Sequence, residues 1–190
     1  MQDLLISTGV VALGEMGDKT QLLAMALAAT YRRPWAIVLG ILIATLANHA
    51  LAAAVGAWVA KSLGDTALQW IVGLSFLAMA VWILIPDELD DDDAPQRSTR
   101  SVLLATVIAF FLAEMGDKTQ IATVALAARF PDTVMVVIGT TLGMLLANAP
   151  VVWLGDRFSQ RLPMAWLHRI CAALFAVLGL VTLAHALGLY

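Results

Sequence analysis

Six long apolar runs alternate with short polar breaks along the chain, and each run is long enough to form a membrane-spanning helix. About 20 apolar residues in a helix cross the hydrocarbon of a bilayer. The polar breaks are as short as YRRP (31–34) and RFPD (129–132). The pattern therefore predicts six transmembrane helices, over residues 4–29, 35–60, 67–85, 102–128, 133–154 and 166–187.

The longest break is the acidic segment PDELDDDDAPQRSTR (86–100), and the sequences on its two sides are related. LGEMGDKTQLLAMALAA (13–29) aligns with LAEMGDKTQIATVALAA (112–128), 99 positions further on. At the same offset Gly40 matches Gly139, and Phe76 matches Phe175. We therefore predict a three-helix repeat over 1–86, an acidic linker over 87–100 and a second repeat over 101–190. Because each repeat has an odd number of spans, the second is inverted, as in many secondary transporters.

The composition supports an all-α integral membrane protein. Of the 190 residues, 61% are hydrophobic and 13% are charged, against about 45–50% and about 25% in soluble domains. No basic patch is present, so nucleic acid is not expected as a partner. Cys171 is the single cysteine, which excludes an internal disulfide and a cysteine-based metal site. The start of the chain lacks the features of a signal peptide, and the first run is expected to remain as a helix.

Positive charge in the short loops predicts the orientation, because lysine and arginine accumulate on the cytoplasmic side. One side carries Arg32, Arg33, Arg97, Arg100, Arg157 and Arg161 in the breaks that follow odd-numbered runs, together with Arg169 near the start of the sixth run. The other side carries Lys61 and Arg129. We expect a multi-pass protein of the bacterial inner membrane, with both termini outside and the linker in the cytoplasm. The run Asp90–Asp93 is expected to be a solvated part of that linker, with cation gathering or regulation as the alternative.

The heptapeptide EMGDKTQ occurs twice, at 15–21 and 114–120, each time inside an apolar run. Glu15 is about eleven residues into its run, hence about 17 Å deep. Charged groups at such depth are costly and are functional candidates. Glu15 and Asp18 are three residues apart and are expected on one face of a helix. Gly17 permits either a close backbone approach or a local break in the helix, and a break would add carbonyl oxygens as ligands.

The charge and chemistry of the motifs predict a site for a divalent cation. Four carboxylates and two lysines leave a formal charge of -2 if all are ionised, which one divalent ion neutralises. Carboxylate and carbonyl oxygens suit magnesium, calcium or manganese, whereas zinc and copper prefer imidazole and thiolate. The predicted ligands are Glu15, Asp18, Glu114 and Asp117. The possible further ligands or supporting residues are Gln21, Gln120, Asn48, His49, Asn148, Thr20, Thr119, Lys19 and Lys118.

A purely structural alternative is that Glu15 pairs with Lys19 one turn along the same helix and merely holds the bundle together. That alternative leaves the excess of acid in both copies unexplained. Membrane metalloprotease activity is not expected, because the chain lacks an H-E-x-x-H helix, and we predict neither catalytic residues nor a cofactor. A divalent-cation channel and a non-transporting partner subunit remain as alternative functions.

The paired motif in a six-run chain with an acidic middle segment resembles the Golgi-type calcium/manganese transporter family, whose bacterial branch includes manganese exporters. Both copies satisfy the family pattern Glu-x-Gly-Asp-(Lys or Arg)-(Thr or Ser). The resemblance implies export of manganese or calcium in exchange for protons, on a fold similar to the lysine-exporter superfamily. It also implies that Glu15, Asp18, Glu114 and Asp117 bind the ion. Competition of protons and metal for the same acids would couple the two fluxes.

Overall fold

The chain is all-helical over residues 1–85, 101–154 and 164–189, which are the residues that the computed structural model describes. Eight helices lie in this part of the chain: α1 (Gln2–Glu15), α2 (Lys19–Tyr31), α3 (Pro34–Ser62), α4 (Asp65–Trp82), α5 (Val102–Ala113), α6 (Lys118–Arg129), α7 (Thr133–Leu154) and α8 (Met164–Ala186). The predicted acidic linker, including Asp90–Asp93, lies outside the described residues. So do the loop arginines from Arg97 to Arg161 that entered the prediction of orientation.

Four of the described helices are long and apolar enough to cross a membrane: Pro34–Ser62, Asp65–Trp82, Thr133–Leu154 and Ala165–Ala186. They correspond to the second, third, fifth and sixth predicted runs. The first and fourth runs are each divided into two shorter helices, α1 with α2 and α5 with α6. The two divisions fall at the two copies of the heptapeptide.

Each break is built around a glycine with a left-handed backbone. Gly17 has a φ of 86° and Gly116 a φ of 77°. Residues other than glycine adopt such positive φ values only at an energetic cost. Asp18 and Asp117 then take the position before the first turn of the next helix, and neither side chain makes a capping hydrogen bond there. The expectation that Glu15 and Asp18 share one face of a continuous helix is therefore wrong, because α1 ends at Glu15 and a new helix direction starts after Asp18.

The two halves exchange their packing partners. Helix α1 packs along α7 of the other half, and α5 packs along α3 in the corresponding way. Each contact requires a glycine. A Cβ on Gly40 would lie only 2.6 Å from Cβ of Thr106, and one on Gly139 would lie only 2.7 Å from the Leu4 carbonyl. Helices α4 and α8 also pack together. These exchanged contacts bring the acids that flank the two breaks into the interior of the bundle, whereas Gly17 and Gly116 themselves are exposed.

The α4–α8 contact includes two phenylalanines from equivalent sequence positions. The ring centroids of Phe76 and Phe175 lie 6.0 Å apart, and both side chains are fully buried. Because lipid chains are as apolar as these rings, a contact between helices long enough to span a membrane is stabilised by close packing and not by removal of the rings from water. The core on this side of the bundle therefore includes two residues separated by the same 99 positions as the two heptapeptides.

Candidate metal centre

Three carboxylates from the two motifs converge inside the bundle. Glu15 ends α1, Glu114 follows α5, and Asp117 precedes α6. Each contributes one oxygen to a group in which all oxygens lie within 4.8 Å of one another. Glu15 and Glu114 are completely buried, and Asp117 is 6% exposed. The two copies of the motif thus supply acids to one shared location, which sequence spacing alone could only suggest.

The two glutamates are held in matching ways by the threonines of their own motifs. The Thr20 hydroxyl donates to Oε2 of Glu15 at 2.5 Å, and the Thr119 hydroxyl donates to Oε2 of Glu114 at 2.9 Å. The second oxygen, Oε1, of each glutamate is buried and accepts no hydrogen bond from any described residue. A buried acceptor without a donor is costly. The threonines therefore orient each carboxylate while leaving one oxygen of each available to a cation.

Asp18 is buried but is not one of the three clustered acids. The structure therefore brings together three of the four predicted ligands. The two motifs are identical in sequence, so this difference between Asp18 and Asp117 arises from their surroundings and not from the motif.

Positive charge faces the acids from two sources. Helices α2 and α6 begin beside the acids, and the N-terminus of a helix carries a partial positive charge from its unpaired N–H groups. Nζ of Lys19 lies 3.4 Å from Oδ1 of Asp117, an acid of the other motif. Among the described residues, Lys19 therefore pairs across the two halves and not with Glu15 as the structural alternative required. Lys118 donates to the Ile85 carbonyl at 2.7 Å.

The glutamines that close the motifs link each break to the opposite half. Oε1 of Gln21 accepts from the Gly17 N–H at 3.1 Å, and Nε2 of Gln21 donates to the Ala147 carbonyl at 2.9 Å. In the second motif Oε1 of Gln120 accepts from the Gly116 N–H at 2.7 Å. Both ends of the Gln21 amide are therefore engaged in holding the first break against α7.

The predicted polar spot on the second long helix of each half is present but is not symmetric. Asn48 accepts from Nε2 of Gln120 at 3.3 Å and donates to the Phe111 carbonyl at 2.9 Å, so it belongs to the network of the second break. Asn148 donates to the Met144 carbonyl of its own helix at 3.1 Å. His49 is fully buried and outside the group of three acids.

One contact at the first break was missed in the sequence. Nε2 of His168, near the start of α8, donates to the Met16 carbonyl at 2.7 Å. This contact engages a carbonyl that the break would otherwise expose as a ligand. The two residues are 152 positions apart, and nothing in the sequence connects them.

The donor set fits a hard divalent cation. The three clustered acids and Lys19 carry a formal charge of -2 when all are ionised, and the hydroxyls of Thr20 and Thr119 add neutral oxygens beside the two glutamates. Oxygen-rich sites of this type suit magnesium, calcium and manganese. Cys171 is buried close to the first motif, where its thiol contacts the Val10 carbonyl at 3.4 Å and lies 3.6 Å from the position of a Cβ on Gly14.

Comparison with known proteins agrees with this chemistry. The sequence model of the family described as "Divalent cation/proton antiporter GDT1" matches residues 3–91 and 102–189. A Vibrio cholerae protein named "Putative manganese exporter" is 51% identical over 183 residues, which cover 96% of this chain and 90% of that protein. A GDT1-like protein of Synechocystis is 29% identical over 137 residues, covering 63% of this chain and 66% of that protein. No solved structure matches the chain.

The family matches cover most of both halves of the chain, and the family is one of membrane transporters and not of enzymes. The expected resemblance is therefore confirmed, and with it the assignment to membrane transport of divalent cations. The chain belongs to the GDT1 family of divalent cation/proton antiporters.

Proposed function

We propose that this protein exports manganese from the cytoplasm in exchange for protons, and that the ion binds between the two motifs. The observation that carries the proposal is the group of buried oxygens from Glu15, Glu114 and Asp117, all within 4.8 Å of one another. Buried acids in a membrane protein are expensive, and those that are present commonly mark an ion or proton pathway. Asp18 is buried at the edge of the same region, and we retain it as an additional acid that the ion contacts during the transport cycle.

Protons and the metal compete for these acids. A buried group of three carboxylates cannot stay fully ionised without a cation, because like charges this close disfavour ionisation. Binding of the metal requires deprotonated ligands and therefore releases protons. Protons that enter from the outside would in turn displace the metal. The proposed exchange thus needs no second site for the coupling ion.

We propose further that the protein spans the membrane six times as two inverted repeats. In this arrangement α1 with α2, and α5 with α6, each form one interrupted span. The separate family matches to 3–91 and 102–189 and the exchanged packing of α1 on α7 and α5 on α3 support it. Interrupted helices at a central site are typical of transporters with inverted repeats. The repeats would extend over 1–86 and 101–190, with the linker 87–100 and the arginine-rich loops in the cytoplasm of a bacterial cell.

Alternating access would follow from movement of one repeat against the other. The site lies where the repeats meet, and Gln21 and Lys19 of the first repeat contact Ala147 and Asp117 of the second. A rocking motion would therefore change the surroundings of the acids of both repeats at once. The motion would also shift α3 against α7, because these long helices of the two repeats pack against each other.

Manganese is the proposed ion, with calcium as the alternative. The oxygen ligands accommodate either ion. The name of the Vibrio cholerae relative favours manganese, since that protein matches over nearly the whole chain.

Transport by the purified protein in liposomes tests the proposal. Liposomes containing the protein and a manganese-sensitive dye would be given external Mn²⁺ with and without an outward proton gradient. We expect Mn²⁺ uptake that accelerates with the gradient, and proton movement in the opposite direction. Mn²⁺ flux that ignores the gradient would refute proton exchange, and the absence of flux would refute transport by this chain alone.

A further inference from the structure

Lys19 and Asp117 form an ion pair between the two halves of the protein. Lys19 is the first residue of α2, and Asp117 immediately precedes α6. The ammonium nitrogen lies 3.4 Å from Oδ1 of Asp117, and the two side chains are 20% and 5% exposed. A cation of the protein itself therefore contacts the candidate site.

Asp117 cannot pair with this lysine and bind a divalent ion equally well at the same time. It is one of the three acids whose oxygens converge, so an ion held there would share the carboxylate with the ammonium. Two cations a few ångströms apart repel strongly in a region with little water. The cation with the greater charge and more ligands, which is the metal, would prevail over the lysine.

We propose that Lys19 is a tethered competitor of the transported ion: it neutralises Asp117 when the site is empty, moves away when the metal binds, and returns as the metal leaves. This inference rests on the proposed function of the site. The lysine would lower the affinity for the ion and so favour its release. Binding of the metal would also break the Lys19–Asp117 ion pair, which joins the two repeats. Occupancy of the site would therefore affect the movement of one repeat against the other.

The equivalent lysine of the second motif has a different anchor. Lys118 is 3% exposed and donates to the Ile85 carbonyl just beyond the end of α4. This bond ties the start of α6 to the end of the first repeat. Two lysines in identical heptapeptides therefore have different surroundings, and we assign the competing role to Lys19.

Chemical labelling of lysine amines tests displacement in the unaltered protein. The chain has three lysines, Lys19, Lys61 and Lys118, so mass spectrometry resolves each one after a short pulse of a small amine-reactive reagent. Saturating Mn²⁺ should increase labelling of Lys19 at least threefold relative to the exposed Lys61. Labelling of Lys19 that is unchanged or reduced by Mn²⁺ would overturn the inference, because the ammonium would then have stayed in place.

Equilibrium binding of Mn²⁺ gives a second test. Lys19→Gln should bind Mn²⁺ about tenfold more tightly than the unaltered protein, whereas the matched control Lys61→Gln should bind with unchanged affinity. Equal or weaker binding by Lys19→Gln would contradict competition.

The same measurements separate failure of the inference from failure of the proposed function. If Mn²⁺ binding survives loss of both Glu15 and Glu114, the proposed site is wrong and the inference falls with it. If binding requires these glutamates but Lys19 labelling does not respond to Mn²⁺, the site stands and only the role of Lys19 is refuted.

Discussion

Replacing Glu114 by glutamine removes one charge from the centre of the proposed site with little change of shape. Glu114 is completely buried, its Oε2 accepts from Thr119, and one of its oxygens lies within 4.8 Å of oxygens of Glu15 and Asp117. Glutamine retains a carbonyl oxygen for the Thr119 bond and for a cation. The substitution therefore isolates the effect of charge on metal binding.

The expected loss follows from the charges involved. At about 4 Å and an effective dielectric constant of about 20, two unit charges interact with about 4 kcal/mol, so a unit charge and a divalent ion interact with about 8 kcal/mol. Less than half of this should appear, because the amide oxygen still coordinates and the site relaxes. A loss of about 3 kcal/mol corresponds to binding weaker by about 100-fold.

Titration of purified protein with Mn²⁺ by calorimetry measures this loss. Asp65→Asn is the matched control, since Asp65 is an exposed acid in the first turn of α4 and its substitution removes the same formal charge. We expect the control to bind Mn²⁺ within about twofold of the unaltered protein. If Glu114→Gln also binds within a few-fold, Glu114 does not ligate the ion and the three-acid site is refuted.

Three further predictions address the same site. Asp117→Asn should weaken Mn²⁺ binding by about 100-fold and Asp18→Asn by clearly less, because only Asp117 belongs to the converging group; equal losses in calorimetry would contradict this ranking. Gly116→Ala should lower the free energy of unfolding by about 1–2 kcal/mol, because Gly116 has a φ of 77° and the cost comes from the backbone and not from a clash of the new Cβ. The control Gly64→Ala, at a φ of -69°, should not carry this backbone penalty. Thermal unfolding in detergent compares the two variants. Mn²⁺ affinity should rise with pH, because deprotonated carboxylates bind the ion and protonated ones do not; calorimetry in buffers of different ionisation enthalpy should detect proton release on binding, and its absence would argue against competition.

The lengths of the apolar runs in the sequence predicted much of the fold. The run 133–154 coincides with α7, and the run 35–60 differs from α3 by only one or two residues at each end. Long apolar segments bounded by charged residues leave few alternatives, because the backbone must satisfy its hydrogen bonds within the lipid. The breaks were harder to predict, since a glycine at depth is compatible with a kink, a close packing contact or a full interruption.

The site was predictable in its residue types but not in its asymmetry. The repeated acids indicated an oxygen site, and three of the four converge. The separation of Asp18 from this group, the pairing of Lys19 with Asp117 and the contact of His168 with the Met16 carbonyl all depend on how the two halves pack. No local pattern encodes such contacts, because each joins residues that are distant in the chain.

Anomalous diffraction from crystals grown with Mn²⁺ tests the central claim most directly. We predict one manganese peak bound by oxygens of Glu15, Glu114 and Asp117, at ligand distances of about 2.0–2.6 Å. A manganese ion bound only by residues of one repeat, or bound away from these three acids, would contradict the shared site on which the proposed transport depends.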